Sequence, residues 1–344
     1  MKMAHVRELH APAGARFRLA AALPDGRWLD LERARLRLLR DDARLAHNEP
    51  LFRVPLTTLD AVLASGVRVE RLRLLVDPFF DRPELLPPAG DGDAAADLVL
   101  DVDELRFGPP LLAPRSLRDF YAFETHVRTM WERRGGEIPE AWYRLPIFYF
   151  SNVSEIRGPG DPVWAPRGSS ELDYEMEICA LIDTPARDLP ADRAEQVIGG
   201  YMILNDWSAR DLQRDESAVR LGPAKGKDFA STIGPWLVTV DELADARAGK
   251  GYALTATATV NGTELSRGTW ADVHFSYGEM LERASADVAL RPGDLVGSGT
   301  VGTGCLLEIR ERSGFGRWLE PGDRVTLSVE RLGELTTPIV QRPA

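Results

Sequence analysis

The chain has 344 residues, enough for about two domains of ordinary size. Its hydrophobic fraction of 44% and charged fraction of 28% are typical of globular proteins, which excludes wholesale disorder and a fibrous repeat. The 42 basic and 53 acidic residues give a net charge of -11, which argues against nucleic acid as a partner because phosphate backbones would repel such a protein.

The N-terminal segment shows no sign of export or membrane insertion. Residues 1–10 contain charges and no apolar core of signal-peptide length, and no uncharged run long enough to span a bilayer occurs in the sequence. We therefore expect a cytoplasmic protein without a membrane partner. Cys179 and Cys305 lie far apart in apolar surroundings and form no CxxC pair, so we interpret both as packed, reduced thiols.

The first part of the chain carries no recognisable site. It mixes alternating segments such as Arg68 to Val76, which favour strands, with one helix-like stretch from Thr57 to Ser65 that Gly66 ends. A turn-rich segment with an alanine run follows at 87–96 and is typical of a connection between domains. We place the domain boundary between about 88 and 112 on this composition shift.

The stretch from Ser116 to His126 resembles the start of a helix. If that helix continued, Asp119 and His126 would lie two turns apart on one face, because they are seven residues apart. A lone histidine is more often packed or solvated than functional, so this pair needs partners from elsewhere in the chain.

Acidic and apolar residues alternate from Glu171 to Ile178. On a strand, Glu171, Asp173, Glu175 and Glu177 would project to one face. A solvated edge strand is one interpretation. However, the apolar run from Cys179 to Ile182 continues the segment and favours a buried strand, on which neighbouring carboxylates would need a compensating cation.

Asn205 and Asp206 end the next apolar stretch, where a turn or capping role is the alternative to a functional one. If this stretch, the acidic strand and the Asp119 segment converged, their ligands would be oxygens only. Such a set suits magnesium, manganese or calcium and disfavours zinc or copper.

The remaining elements are predicted mainly from turn signals. Helices are expected over Ala191 to Leu204 and over Phe275 to Ala284. A strand from Tyr252 to Val260 meets Asn261-Gly262, a strong hairpin signal. Pro-Gly-Asp turns at 292–294 and 321–323 precede two further strands, expected over Leu295 to Gly299 and Arg324 to Val329.

Two glycine-rich segments imitate nucleotide-binding motifs. Residues 297–302 match GxGxxG, but β-prone residues follow and no helix N-terminus would meet a pyrophosphate, so we exclude NAD. Residues 222–228 resemble a P-loop but have the wrong glycine spacing, and Asp228 stands where a Ser or Thr would hold magnesium. The second segment nevertheless stands out, because Lys225 and Lys227 are two of the four lysines in the chain.

Five motifs occur in an order that resembles the fumarylacetoacetate hydrolase family, over about Arg106 to Val340. The motifs are Asp119-Phe-Tyr followed by His126, Leu172-Asp-Tyr-Glu-Met-Glu, Asn205-Asp-Trp-Ser-Ala-Arg-Asp-Leu-Gln, Leu221-Gly-Pro-Ala-Lys-Gly-Lys-Asp-Phe and Leu290-Arg-Pro-Gly-Asp-Leu-Val-Gly-Ser-Gly-Thr. The resemblance implies a mainly β fold with some α. It would comprise a small β-rich, barrel-like N-terminal domain over 1–110 and a catalytic domain of mixed β-sandwich or β-roll type over 111–344, often dimeric.

The resemblance also implies roles for individual residues. The divalent-cation ligands, with Mg²⁺ favoured over Mn²⁺ or Ca²⁺, would be Asp119, Glu175, Glu177 and Asp206. The general base would be His126, oriented by Glu308 on a strand after the glycine-rich turn. The groups that hold developing negative charge would be Lys227 and Gln213. The substrate contacts would be Tyr121, Tyr149, Thr300 and an arginine that is either Arg133 or Arg134.

These assignments imply a hydrolase that uses water activated by His126 to cleave a carbon–carbon bond in a 1,3-diketone or 2,4-dioxo acid. The histidine–glutamate pair favours hydrolysis, because cleavage needs a base that activates water. A metal-dependent oxo-acid decarboxylase or tautomerase is the alternative within enzymes. A non-catalytic metal-binding partner protein is the alternative from a different class.

Overall fold

The structure is a computed structural model that describes residues 1–12, 14–86 and 98–343. The strands in chain order are β1 Lys2–Glu8, β2 Arg18–Ala22, β3 Trp28–Asp30, β4 Val99–Leu100, β5 Leu105–Phe107, β6 Ser116–Phe120, β7 Phe148–Ser151, β8 Ile156–Arg157, β9 Leu172–Asp173, β10 Met176–Ile182, β11 Ile198–Asp206, β12 Ser208–Ala209, β13 Ser231–Val238, β14 Arg247–Ala248, β15 Gly251–Tyr252, β16 Thr255–Val260, β17 Thr263–Thr269, β18 Asp294–Gly297, β19 Arg324–Val329 and β20 Gly333–Pro338. The α-helices are α1 Leu31–Asp41, α2 Leu45–Asn48, α3 Leu59–Ala64, α4 Arg73–Asp81, α5 Glu124–Arg133, α6 Ala191–Ala194, α7 Arg210–Ala218, α8 Tyr277–Ser285 and α9 Leu306–Ile309. Short 3₁₀ turns connect several of these elements.

One large mixed sheet organises the chain in the order β4-β3-β2-β1-β13-β11-β10-β18-β6-β7, with β5 beside β1 and β8 beside β13. A second, antiparallel sheet has the order β17-β16-β19-β20. The structure thus confirms a strand-rich fold with some helix. The N-terminal part of the described chain also contains helices α1 to α4 beside its strands.

Central strand β10 separates two cores. Ile178 and Ala180 pack into one core with residues of the second sheet, whereas Cys179 and Leu181 pack into the other with the N-terminal helices. This follows from the two-residue period of a strand, which sends successive side chains to opposite faces. Glu175 and Glu177 precede Cys179 at odd-numbered positions of the same segment.

The turn-based predictions are confirmed. Asn261 and Gly262 both have positive φ and join β16 to β17, as a tight hairpin turn requires. Strands β18 and β19 follow the two Pro-Gly-Asp turns. The predicted helix over Phe275 to Ala284 is α8, which Ser276 caps.

Two predictions from periodicity are wrong. The segment Arg68 to Val76 is helical, because its buried residues Val69, Leu72, Val76 and, further on, Phe79 recur at helical spacing. The helix expected over Ala191 to Leu204 ends at Ala194, and the chain then enters β11. That strand is buried on both faces, so its continuous apolar sequence has no alternation that would distinguish it from a helix.

The helix predicted near Thr57 to Ser65 is confirmed as α3, which begins after the Thr58 cap. The composition shift at 87–97 lies outside the described residues. Beyond it, β4 and β5 pair with β3 and β1, and β1 in turn pairs with β13. The division into domains over 1–110 and 111–344 stays a prediction.

Cys179 and Cys305 are buried and unpaired, in agreement with their interpretation as packed thiols. Within the described part of the chain, no helix combines the length and the apolar character that crossing a membrane would require.

Candidate active site

Three carboxylates from three strands of the main sheet meet at one end of that sheet, where β18 lies between β10 and β6. Asp119 lies on β6, Glu177 on β10 and Asp206 at the end of β11, and all three are buried. One carboxylate oxygen from each residue lies within 4.8 Å of the other two. Parallel pairing of β18 with β6 places Gly297 beside Asp119, where an added Cβ would lie 2.4 Å from Asp119 Oδ1. A glycine at this position therefore leaves the room that the aspartate needs.

The prediction that Asp119 and His126 share one helix is wrong. Asp119 ends a buried strand and His126 lies on the following helix, α5. The alternative of a solvated edge strand for the acidic segment is also wrong, because β10 pairs with β11 on one side and with β18 on the other.

The cluster of Asp119, Glu177 and Asp206 contains more negative charge than the single ammonium of Lys227, which contacts Asp206, can compensate. Asp119 Oδ1 and Asp206 Oδ1 are buried and have no hydrogen-bond partner among the described residues. Burial, and then repulsion from the neighbouring carboxylates, raises the pKa of Asp119 and of Glu177 well above the usual values. A hard divalent cation bound by oxygen ligands would relieve both the desolvation and the repulsion, so these residues fit a metal site.

Glu175 has a different environment. Its Oε1 accepts a hydrogen bond of 2.7 Å from Arg210 Nη2, and its Oε2 accepts one from Lys227 Nζ. Burial opposes ionisation, but the positive charges of Lys227 and Arg210 outweigh it and lower the pKa of Glu175. The same ammonium also donates to Asp206 Oδ2, so Lys227 connects Glu175 to the three-carboxylate cluster.

Arg210, at the start of α7, was not identified from the sequence. It donates to Asp173 Oδ2 at 2.8 Å, to Glu175 at 2.7 Å and to Gln213 Oε1 at 3.0 Å. Asp173 also accepts hydrogen bonds from the first backbone N–H groups of α9. The sequence signal that could have indicated Arg210 was the pair Asp173 and Glu175 in a segment expected to be buried. Two buried carboxylates close together need a buried cation to neutralise them.

His126 and Glu308 form a buried hydrogen-bonded pair. His126 Nδ1 is 2.5 Å from Glu308 Oε1, and Glu308 Oε2 accepts a 2.8 Å hydrogen bond from the backbone N–H of Thr303. Glu308 lies on the short helix α9, so its predicted position on a strand is wrong. The ring of Tyr121 contacts the imidazole edge-on at 5.3 Å between ring centroids. These contacts fix the orientation of the imidazole.

The cavity has a volume of about 920 Å³. Most of the predicted site residues line it, namely Asp119, Tyr121, His126, Arg133, Tyr149, Glu175, Glu177, Gln213, Lys227 and Thr300. Asp206 and Glu308 are not among the lining residues and contact it through Lys227 and His126. Arg134, the other candidate for the substrate arginine, lines the cavity as well.

Two of the predicted substrate contacts also hold the carboxylates. The Tyr149 hydroxyl lies within hydrogen-bond distance of two carboxylates and can donate its one proton to Asp206 Oδ2, the nearer acceptor, or to Asp119 Oδ2 at 3.2 Å. Burial and the two aspartates raise the pKa of Tyr149, so its hydroxyl remains a donor. Thr300 Oγ1 donates to Glu177 Oε1 at 3.3 Å, and the backbone N–H of Gly299 donates to Glu177 Oε2 at 3.2 Å.

Comparison with known proteins gives the same family as the motifs. Residues 116–340 match the family model for the C-terminal region of fumarylacetoacetate (FAA) hydrolase. The 2,4-didehydro-3-deoxy-L-rhamnonate hydrolase of Sphingomonas sp. (strain SKA58) is 31% identical over 191 residues, which cover 55% of this chain and 62% of that relative. The match therefore spans less than two thirds of the relative's length.

Solved structures show the same fold. The fumarylacetoacetate hydrolase of Exiguobacterium antarcticum superposes with a TM-score of 0.68 at 22% identity, covering 99% of this chain and 100% of that one. The 5-carboxymethyl-2-hydroxymuconate delta-isomerase of Mycobacterium smegmatis superposes with a TM-score of 0.61 at 23% identity, with the same coverage. At these identities the likeness concerns the fold alone. The family match over 116–340 is what establishes membership: this chain belongs to the fumarylacetoacetate hydrolase family.

Proposed function

We propose that this protein is a metal-dependent hydrolase that cleaves a carbon–carbon bond in a 1,3-diketone or 2,4-dioxo acid. The observation that carries the proposal is the His126–Glu308 pair, because its histidine lines the same cavity as Asp119 and Glu177 of the carboxylate cluster. The family includes hydrolases, and a curated relative is one.

Asp119, Glu177 and Asp206 would hold the cation, with Glu175 beside them. When bound, a divalent cation would act as a Lewis acid that polarises the two oxygens of a dioxo substrate. The oxygen-only donors of this cluster favour Mg²⁺, Mn²⁺ or Ca²⁺.

His126 would accept the proton of the attacking water. Its Nδ1 donates to Glu308, so the neutral tautomer presents Nε2 as a base. Glu308 then stabilises the imidazolium that forms, and the Thr303 N–H holds this carboxylate in place.

Gln213 is the better placed donor for the oxyanion. The guanidinium of Arg210 can only donate, so it orients the Gln213 amide with Oε1 towards itself and leaves the N–H donors of Nε2 available. Lys227 makes hydrogen bonds to Glu175 and to Asp206. We therefore assign an electrostatic role to Lys227 and the donor role to Gln213.

The reaction would proceed by addition of water to one carbonyl carbon, followed by cleavage of its bond to the methylene carbon. The methylene carbon keeps the electron pair, which delocalises into the remaining carbonyl, and then takes up a proton. The products are a carboxylic acid and a 2-oxo acid if the substrate is an acylpyruvate.

Product analysis tests the proposal. Protein supplied with Mg²⁺ or Mn²⁺ should convert members of a panel of acylpyruvates and fumarylacetoacetate into two fragments, with loss of the diketone absorbance. Release of carbon dioxide would indicate a decarboxylase, and an isomer of unchanged mass a tautomerase. Absence of turnover on the whole panel would contradict the hydrolase assignment.

A further inference from the structure

The cavity is lined by several arginines, and only some of them form close ion pairs with carboxylates. Five arginines line the cavity: Arg133, Arg134, Arg210, Arg214 and Arg310. Two are closely paired, Arg210 with Asp173 and Glu175 at 2.7 Å and Arg214 with Glu171 at 2.6 and 2.9 Å. The remaining three have no ion pair as close as these among the described residues.

Arg133 and Arg310 share one weakly placed carboxylate, that of Glu311. Glu311 lies 3.5 Å from Arg133 and 3.9 Å from Arg310, and its side chain is 63% exposed. Arg134 makes no ion pair with the described residues and lies over the Trp131 ring at 5.9 Å. Two guanidiniums therefore lie near one solvated carboxylate and the third has no acidic partner among the described residues, which leaves a local excess of positive charge in a chain with a net charge of -11.

Arg310 is the most rigidly held of the three. Its guanidinium lies 4.1 Å from the centroid of the Trp318 ring, and Trp318 lines the cavity beside it. Arg310 Nε is buried and has no hydrogen-bond partner in the described part of the chain. A planar guanidinium stacked on an aromatic ring is already oriented, so it loses little conformational entropy when it binds a carboxylate.

We propose that Arg310, oriented by Trp318, is a specificity-determining residue that binds a second anionic group of the substrate. A carboxylate is the group that the guanidinium would recognise. This inference rests on the proposed function for the identity of the substrate. The anion-binding role of Arg310 can be tested without turnover.

The planar fork of a guanidinium matches a carboxylate through two parallel hydrogen bonds. Arg310→Lys keeps the charge but loses this geometry, whereas Arg310→Met loses both and keeps an apolar contact for Trp318. Glu311→Gln removes the competing carboxylate and should strengthen binding of an anion. Arg324→Met, on β19 in the second sheet and outside the cavity lining, is a matched surface control.

The kinetic test compares two acylpyruvates of equal length, one ending in a carboxylate and one ending in a methyl group. Arg310→Met should raise KM for the carboxylate substrate about tenfold or more and change KM for the methyl substrate less than twofold, because a charge-assisted hydrogen bond is lost. Arg310→Lys should fall between the two. Equal losses on both substrates, with an unchanged melting temperature, would overturn the proposal.

The binding test separates this inference from the proposed function. In calorimetric titrations, the wild type should bind fumarate more tightly than crotonate, in which a methyl group replaces one carboxylate. Arg310→Met should remove the difference, Glu311→Gln should increase it, and Arg324→Met should leave it unchanged. If fumarate discrimination persists in Arg310→Met, or is absent from the wild type, the subsite does not exist. If it behaves as expected while no dioxo acid is turned over, only the proposed function fails.

Discussion

Glu175 and Glu177 are two residues apart on one segment, and both are buried, yet their pKa values are shifted in opposite directions. Glu175 contacts Lys227 and Arg210. Glu177 accepts hydrogen bonds from the neutral groups of Gly299 and Thr300 and faces Asp119 and Asp206. The difference teaches that one acidic segment supplies both a carboxylate that Lys227 and Arg210 neutralise and one without a cationic partner among the described residues, which is suited to bind a cation. The predicted role of Glu175 as a metal ligand stays a prediction.

The first test separates catalysis by His126 from cation binding at the carboxylates. His126→Ala removes the proposed base without touching Glu177 or its neighbours, so turnover should fall by about 10³-fold, within the range seen for general bases. Calorimetry with Mn²⁺ should give a dissociation constant close to that of the wild type. Undiminished turnover would remove His126 from the mechanism.

The second test removes Arg210, one of the two cationic side chains that neutralise Glu175. Arg210→Met leaves Asp173 without its cation and Glu175 with Lys227 alone, so the free energy of unfolding should fall by about 3 to 5 kcal/mol, as expected when one partner of a buried ion pair is lost. Urea denaturation measures this loss. Arg214→Met, which breaks a more exposed pair with Glu171, is the matched control and should cost about 1 kcal/mol or less.

The third test replaces each of the two glutamates, Glu175 and Glu177, by glutamine in a separate variant. Glu175→Gln should destabilise the metal-free protein by about 1 to 3 kcal/mol, because Lys227 and Arg210 lose a charged acceptor. Glu177→Gln should leave the metal-free protein equally stable or more stable, since it removes repulsion within the cluster, and should weaken Mn²⁺ binding. Equal stability losses in both variants would mean that the two environments do not differ.

The fourth test adds a divalent cation, which should compensate the negative charge around Glu177. A divalent cation that binds the folded state should raise the free energy of unfolding by about 2.7 kcal/mol at a concentration one hundred times its dissociation constant. A chelator should reverse the rise in melting temperature. In Glu177→Gln the rise at the same Mn²⁺ concentration should be smaller; a rise of the same size would place the cation elsewhere.

The smallest effect concerns the packing beside Asp119. Gly297→Ala brings a methyl group within 2.4 Å of Asp119 Oδ1 and 2.9 Å of Leu204 Cδ2. We expect a loss of about 1 to 3 kcal/mol in urea denaturation, typical of overpacking, together with weaker Mn²⁺ binding. Unchanged values for both would show that Asp119 has room to move away.

Local signals predicted the elements whose geometry a few residues determine. The Asn261-Gly262 hairpin and the Pro-Gly-Asp turns are examples, because their backbone conformations suit few residue types. The site residues were found from family motifs. Their meeting in one cavity depends on the order β11-β10-β18-β6, which is a long-range property that no local pattern contains.

The failures have the same origin. Strand β11 is buried on both faces, so its sequence lacks the alternation that marks a half-buried strand. Arg210 was missed because its role depends on Asp173 and Glu175, which lie more than 30 residues earlier in the chain. Glu308 was placed on a strand because helix α9 has only four residues and is capped by Asp173, far away in sequence.

Crystals soaked in Mn²⁺ and measured at the manganese absorption edge would show most directly whether the open carboxylates hold a cation. We predict one anomalous peak bounded by Asp119, Glu177 and Asp206, within coordination distance of their oxygens. A peak elsewhere, or none at a concentration that supports turnover, would contradict the account.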